Sequence, residues 1–441
     1  MTTFWLIFVI LSWYCSSLLI AAQYDAFVNN PISFVVETTY KDWNTQFPSI
    51  AVCESENSGR IENISDSLWG PEHNFEIEEV LKEIAYFKGI TYYVSRLCGD
   101  EDPLAECFKS NLSYFANLVR SPCKDLLLNC SWNGKPFNCC TYFRPLETEL
   151  GVCYVINTIQ GRNGMPKLEM ISNRTTGPGM IKFGVRLPVK VFVLNEEEVP
   201  SMTSHGSYAI PVVLEFNYRR QITIRNIEND VDARMIVPEK RKCRYADENI
   251  LHVYPYYSYT ACTVQCRKDA QLSLCNCTNF FMPNTKESYK CNVTGIICLN
   301  DNQHLLSVLK ARWSSRPGLH CDCLPSCTEA EISIVKDFKI PNDQKISTVQ
   351  IELSTLPSEK YRRNVVRGVL DLVVSTGGTG GLFLGASLLS FVELLYILLL
   401  RPFCDMYTRR NDDRWHRKYG NRRIEDNQFN RKNIKIAFKK K

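Results

Sequence analysis

Motifs that carry chemistry are scarce in this chain. Its 441 residues hold six histidines, scattered singly, and lack a glycine-rich phosphate loop, a His-Glu-x-x-His zinc motif and a Gly-x-Ser-x-Gly nucleophile turn. Those absences argue against an enzyme of those classes and against a nucleotide as energy source. Internal repeats and low-complexity linkers are missing too, so the middle of the chain reads as one mixed α+β body. Charge is missing from two stretches. Residues 4–22 contain no charged side chain, and residues 368–400 contain only Asp371 and Glu393. At about 1.5 Å of rise per residue the first run is long enough to cross a hydrocarbon core of about 30 Å. The second exceeds the roughly 20 residues that a straight crossing needs, so it is expected to be tilted, broken or partly outside the bilayer.

What the chain does have is cysteine. Of 20 cysteines, 18 lie between the two apolar runs, with Cys15 inside the first and Cys404 after the second. Such density belongs in an oxidising compartment, which places the middle outside the cell. Asn-x-Ser/Thr sequons at Asn63, Asn111, Asn173 and Asn292 support the same side as glycosylation candidates. After Leu400 the chain carries 14 Lys/Arg against 5 Asp/Glu, a local charge of 14 − 5 = +9 within a total of +5. That tail reads as cytoplasmic by the positive-inside rule, although Lys360, Arg362, Arg363 and Arg367 crowd the other end of the second run, where they can snorkel to outer headgroups.

These observations divide the chain into a short cytoplasmic start (1–3), a first transmembrane helix (4–22), an extracellular cysteine-rich domain (23–363), a second transmembrane helix (364–400) and a basic cytoplasmic tail (401–441). The expected location is the plasma membrane, with lipids around both spans. A competing reading takes the first run as a cleaved signal peptide, with Ala21 and Ala22 preceding the cut; a single-span receptor with a cysteine-rich binding domain would result.

Along the middle, residues 32–36 read as a strand leaving the first span and returning at residues 47–52. Residues 75–87 put Ile77, Val80, Leu81 and Ile84 on one helical face, with Asn74 as N-cap. Residues 181–194 and 212–224 alternate as half-buried strands, the Gly/Asn/Thr/Pro-rich stretch 161–179 reads as an exposed loop, and residues 345–353 as a final strand leading to the membrane. The dense cysteines from Cys243 to Cys327 read as a stapled subdomain, helical at 261–271.

Three motifs carry a family likeness. Phe47-Pro48-Ser49-Ile50-Ala51-Val52-Cys53 follows the first span. Tyr257-Ser258-Tyr259-Thr260-Ala261-Cys262 precedes Cys266, Cys275-Asn276-Cys277 and Cys321-Asp322-Cys323-Leu324-Pro325-Ser326-Cys327. The third is the run from Gly377-Gly378-Thr379-Gly380-Gly381 through Gly385-Ala386-Ser387 to Ser390 and Glu393. In order and spacing they resemble the degenerin/epithelial sodium channel superfamily, most closely its insect pickpocket branch. The resemblance spans nearly the whole chain, with residues 59–138 the least matched.

The resemblance implies a two-span, trimeric, sodium-preferring and amiloride-sensitive channel, a homo- or heterotrimer with related subunits. Residues 243–327 would form its thumb, and an unknown extracellular stimulus would gate it. It implies disulfides Cys53–Cys153, Cys243–Cys327, Cys262–Cys323, Cys266–Cys321, Cys275–Cys298 and Cys277–Cys291. A zinc site at Cys321, Cys323 and Cys327 is the competing use of those sulfurs. Gly385, Ala386 and Ser387 are the expected selectivity filter, where small side chains let three copies bring carbonyls and hydroxyls to a narrow ring; the alternative is a plain helix-packing face. Asp371, Ser375 and Gly378 share a helical face leading to Gly385 and, with Glu393, are expected to line the pore, Asp371 as an acidic outer ring. Val374 or Ser375 is the gating candidate. Sodium is then the permeant ion and not a cofactor, with no metal site and no nucleic-acid partner expected. The superfamily carries a His-Gly gating motif before the first span, and the sequence starts three residues before the apolar run. That raises a third reading, a modulatory subunit that does not conduct alone.

Overall fold

The charge-free N-terminal sequence forms one long helix, Thr2–Asn29, ended by a side-chain bond from Asn29 back to Asp25. The computed structural model to which it belongs describes residues 2–29, 32–38, 43–98, 111–161, 167–204, 209–365, 368–385, 387–404 and 406–407. Among those residues this is the one helix long and apolar enough to cross a membrane, and it runs further than the expected end at Ala22. A second apolar helix, Val369–Leu384, lies antiparallel to it: Ser12 meets Phe383, and Gln23 meets Thr379. The chain restarts as Leu388–Leu395 and passes into a wider π-helical turn, Tyr396–Leu400. These helices belong to one unit, and Ile32–Val365 forms the other.

The second unit is built on two sheets. The larger runs, in order of pairing, through Ile32–Glu37, Lys360–Val365, Phe216–Asn229, Ser347–Leu353, Met180–Val185, Leu127–Trp132 and Lys135–Pro136, with Glu331–Pro341 also paired to the long Phe216–Asn229 strand. The smaller runs through Ala209–Val212, Val189–Leu194, Ser49–Glu54, Gly151–Ile156 and Arg144–Thr148. Ser347–Leu353 alternates strictly, sending Val349, Ile351 and Leu353 inward. Ser49–Glu54 is buried on both faces. Ile50 and Val52 pack into the core shared with Phe183, Val191 and Ile222, whereas Ala51 and Cys53 pack with Ala261 and Val264 of the cysteine-rich helix. Each such Ile or Val contributes about 1.5–3 kcal/mol by leaving water.

A third core joins the helices Ser58–Trp69, Phe75–Ala85 and Leu112–Val119 to Val293–Asp301. Arg120 ties it to the sheets: Nε donates to Ala85 O at 3.0 Å, an Nη donates to Leu150 O at 2.6 Å, and the guanidinium lies 4.8 Å from the Phe281 ring.

The helices stand close to where the sequence puts them. Phe75–Ala85 starts where Asn74 Oδ1 accepts from the Glu76 amide at 3.0 Å, and Tyr259–Cys275 where Ser258 Oγ accepts from the Ala261 amide at 3.1 Å. Several strand expectations need correction. Ile32–Glu37 does not return at residues 47–52 but pairs antiparallel with Lys360–Val365, so the last strand before the second apolar run is that one and not residues 345–353. The stretch 181–194 is two strands in different sheets, broken at Pro188, and 212–224 is divided at Glu215, whose φ is +68°. The stretch 161–179 is not wholly exposed: Met170 is buried and Ile171–Ser172 pairs with Thr45–Gln46.

Candidate ion pathway

The apolar second run is broken where its side chains are smallest. Gly385 takes φ +63°, a left-handed conformation that costs glycine nothing, and its amide turns back to Gly381 O at 3.1 Å. Ser387 then caps the next helix: its Oγ accepts from the Ser390 amide at 3.2 Å, and its own amide donates to Ser390 Oγ at 3.4 Å. Ala386 lies outside the described residues. Among the described residues, a Cβ built on Gly377, Gly378, Gly380 or Gly385 would meet nothing within 4 Å, so these glycines are not packed against described neighbours.

Asp371, Ser375 and Gly378 fall on one face of Val369–Leu384, at spacings of four and three, but Gly385 lies beyond the last helical residue, so helical spacing does not carry that face to it. Asp371 Oδ2 accepts from the Gly368 amide at 2.9 Å and starts the helix. Ser375 and Asp371 border a cavity of about 480 Å³ beside Gln23 and Ala26 of the first helix. Val374 is exposed, as is Glu393 on the following helix.

In the other unit, disulfides join Cys53 to Cys153, Cys243 to Cys327, Cys262 to Cys323, Cys266 to Cys321, Cys275 to Cys298 and Cys277 to Cys291. Two more, Cys123–Cys140 and Cys130–Cys139, were not assigned from the sequence. The sulfurs that a zinc site at Cys321, Cys323 and Cys327 would need are all in S–S bonds. Of the sequon asparagines, Asn63, Asn111 and Asn292 are exposed, the latter two as helix caps. Asn173 is half-buried, its Nδ2 donating to Asn44 Oδ1 at 2.9 Å.

Two buried charge arrangements escaped the sequence reading. Arg267, on the cysteine-rich helix, pairs with Glu149 in the turn of the smaller sheet, and both side chains are fully buried. Its Nε donates to Leu306 O at 2.9 Å, and Glu149 also accepts from the Met202 amide at 2.6 Å. Second, Glu198 and Glu329 line a cavity of about 510 Å³ with Thr260 and Thr263 of the same helix. Burial, reinforced by Glu329 and Glu197, pushes the Glu198 carboxyl up to about 8; burial and Glu197 also raise Glu329. The run Glu196-Glu197-Glu198 beside a strand end was the available signal, but Glu329 is 131 residues away.

With this geometry in place, comparison with known proteins defines the class. Residues 1–397 match the family described as amiloride-sensitive sodium channel, and the chain belongs to it. It is 22% identical to the sodium channel protein Nach of Drosophila ananassae, over 89% of this chain and 80% of that one. Pickpocket protein 28 of Drosophila melanogaster is 23% identical over 83% of this chain and 68% of its own length. Human acid-sensing ion channel 2 is 24% identical over 68% and 62%. A solved proton-activated chloride channel aligns over 90% of this chain and 97% of that one at 7% identity, with a TM-score of 0.30, too weak a likeness to argue from. The family is one of membrane-embedded ion channels with a large extracellular domain and not of enzymes, and the chain is a cation channel subunit.

Proposed function

We propose that the protein conducts sodium passively, as one of three subunits around a pore lined by the second apolar run, with Gly385, Ala386 and Ser387 as the filter. The observation that carries this reading is the break at Gly385. A helix interrupted at small residues leaves backbone carbonyls at the break without their helical donors, and such groups can replace part of an ion's water shell. Asp371 and Ser375 line the outer part of the pathway, Asp371 concentrating cations, and Glu393 faces water on the inner side. Val374 or Ser375 sits at the gate. The unit Ile32–Val365 is extracellular and transmits the stimulus through Ile32–Glu37 and Lys360–Val365, the paired strands that adjoin the two apolar runs in sequence; both termini are cytoplasmic, and amiloride blocks the pore. The family match includes the first helix, which favours this reading over a single-span receptor.

The test is purified protein in liposomes carrying a sodium gradient. Uptake of radioactive sodium that exceeds potassium uptake and is blocked by amiloride supports the proposal; equal and unblocked leakage of both ions refutes it.

A further inference from the structure

A helix that stops inside hydrocarbon leaves carbonyls without donors, and lipid supplies none. Val369–Leu384 stops in this way. The Phe383 carbonyl would accept from the Ser387 amide in an unbroken helix, yet that amide donates forward to Ser390 Oγ, and the Gly385 amide turns back to Gly381. The donor that Phe383 receives comes from the other helix: Ser12 Oγ, at 2.5 Å. A second tie follows along the same pair, Gln23 Nε2 donating to Thr379 Oγ1 at 3.0 Å, with Thr379 donating in turn to Ser375 O at 2.9 Å. Ser12, Ser16 and Gln23, at spacings of four and seven, form one polar seam.

Membrane serines commonly bond back into their own helix. Ser17 does so, its hydroxyl donating to Tyr14 O at 2.8 Å. Ser12 does not. We infer that Ser12 is a positioning residue for the filter: its hydroxyl caps the broken helix two residues before Gly385 and fixes the direction in which the peptides at the break point. The inference rests on the channel reading above, because a fixed break matters for selectivity only if ions pass there. Without the hydroxyl, the peptide after Phe383 is free to turn, and carbonyls that compete with an ion's hydration shell lose their common orientation.

The experiment uses the full chain with Ser12→Ala, Ser12→Thr and, as control, Ser17→Ala. Reversal potentials under paired sodium and potassium solutions give the permeability ratio, and hydrogen exchange of residues 381–390 in the purified protein reports the break without requiring current. Ser12→Ala is expected to lower the sodium-over-potassium ratio about fivefold, the bias that one net hydrogen bond supplies, and to speed exchange around the break. Ser12→Thr should restore both, and Ser17→Ala should change neither. Unchanged exchange in Ser12→Ala overturns the cap, and faster exchange with an unchanged ratio overturns its role in selectivity. Faster exchange in a protein whose wild type passes no current upholds the cap while refuting the channel reading.

Discussion

The Arg267–Glu149 pair offers the sharpest stability test, because both side chains are fully buried and, among the described residues, each side chain makes one further hydrogen bond, Arg267 to Leu306 O and Glu149 from the Met202 amide. Arg267→Met keeps the volume and the apolar stem but removes the charge. The Glu149 carboxylate then sits out of water with the Met202 amide as its remaining donor. Removing one partner of a buried pair costs about 3–5 kcal/mol, whereas replacing both by neutral groups of similar size is often close to neutral. The expected order of stability is therefore wild type close to the double variant Arg267→Met/Glu149→Gln, with Arg267→Met alone well below both. Denaturant unfolding of the purified full chain, followed by tryptophan fluorescence, reads the difference. At about 1.4 kcal/mol per tenfold change, the single variant should shift the unfolding equilibrium by a factor of several hundred. A single variant within about 1 kcal/mol of wild type, or a double variant no more stable than the single one, would refute the argument from buried charge.

Ser387→Leu should abolish sodium selectivity or conduction while leaving surface delivery intact, as read by permeability ratios together with surface biotinylation. Glu198, raised from 4.5 to about 8 in the fold, binds its proton more tightly there than in the unfolded chain. Stability should therefore fall as pH rises through that window, and Glu198→Gln should remove most of the slope in thermal unfolding followed against pH. Opening the Cys53–Cys153 bond, which closes a loop of 100 residues, by a Cys53→Ser/Cys153→Ser pair should cost about 4–5 kcal/mol on the chain-entropy account, measured as a lowered unfolding midpoint.

Local signals in the sequence were readable wherever a residue decides its own neighbourhood. Asn74 caps its helix because its side chain reaches the amide two residues on, and that is visible without any fold. The alternation from Ser347 to Leu353 likewise shows which side chains face inward. Pairing was not legible. Period-two alternation says that a strand is half-buried but not which strand lies beside it, so Ile32–Glu37 was matched to the nearest apolar segment instead of to Lys360–Val365, 323 residues further on. Pro188 was the missed punctuation within residues 181–194: it carries no amide hydrogen, so one ladder ends and the other begins around it.

The cysteine ladder of residues 243–327 came from family likeness, because spacing alone leaves many connectivities open. Cys123–Cys140 and Cys130–Cys139 fell in the region where that likeness is weakest. In the second apolar run, length alone allowed for a break without placing it, and the helical-face argument ran on through Gly385 as if the helix continued. A left-handed glycine is invisible to periodicity. The cavity carboxylates, and the hydroxyl that Ser12 lends to Phe383, join residues too distant in sequence for any local pattern to unite them.

The most direct test of the central claim is voltage clamp of oocytes expressing the chain, alone and together with pickpocket relatives, with surface delivery confirmed. The account predicts an inward sodium current that amiloride blocks and that reverses at positive potential in low internal sodium. No such current in either arrangement, with the protein at the surface, would contradict it.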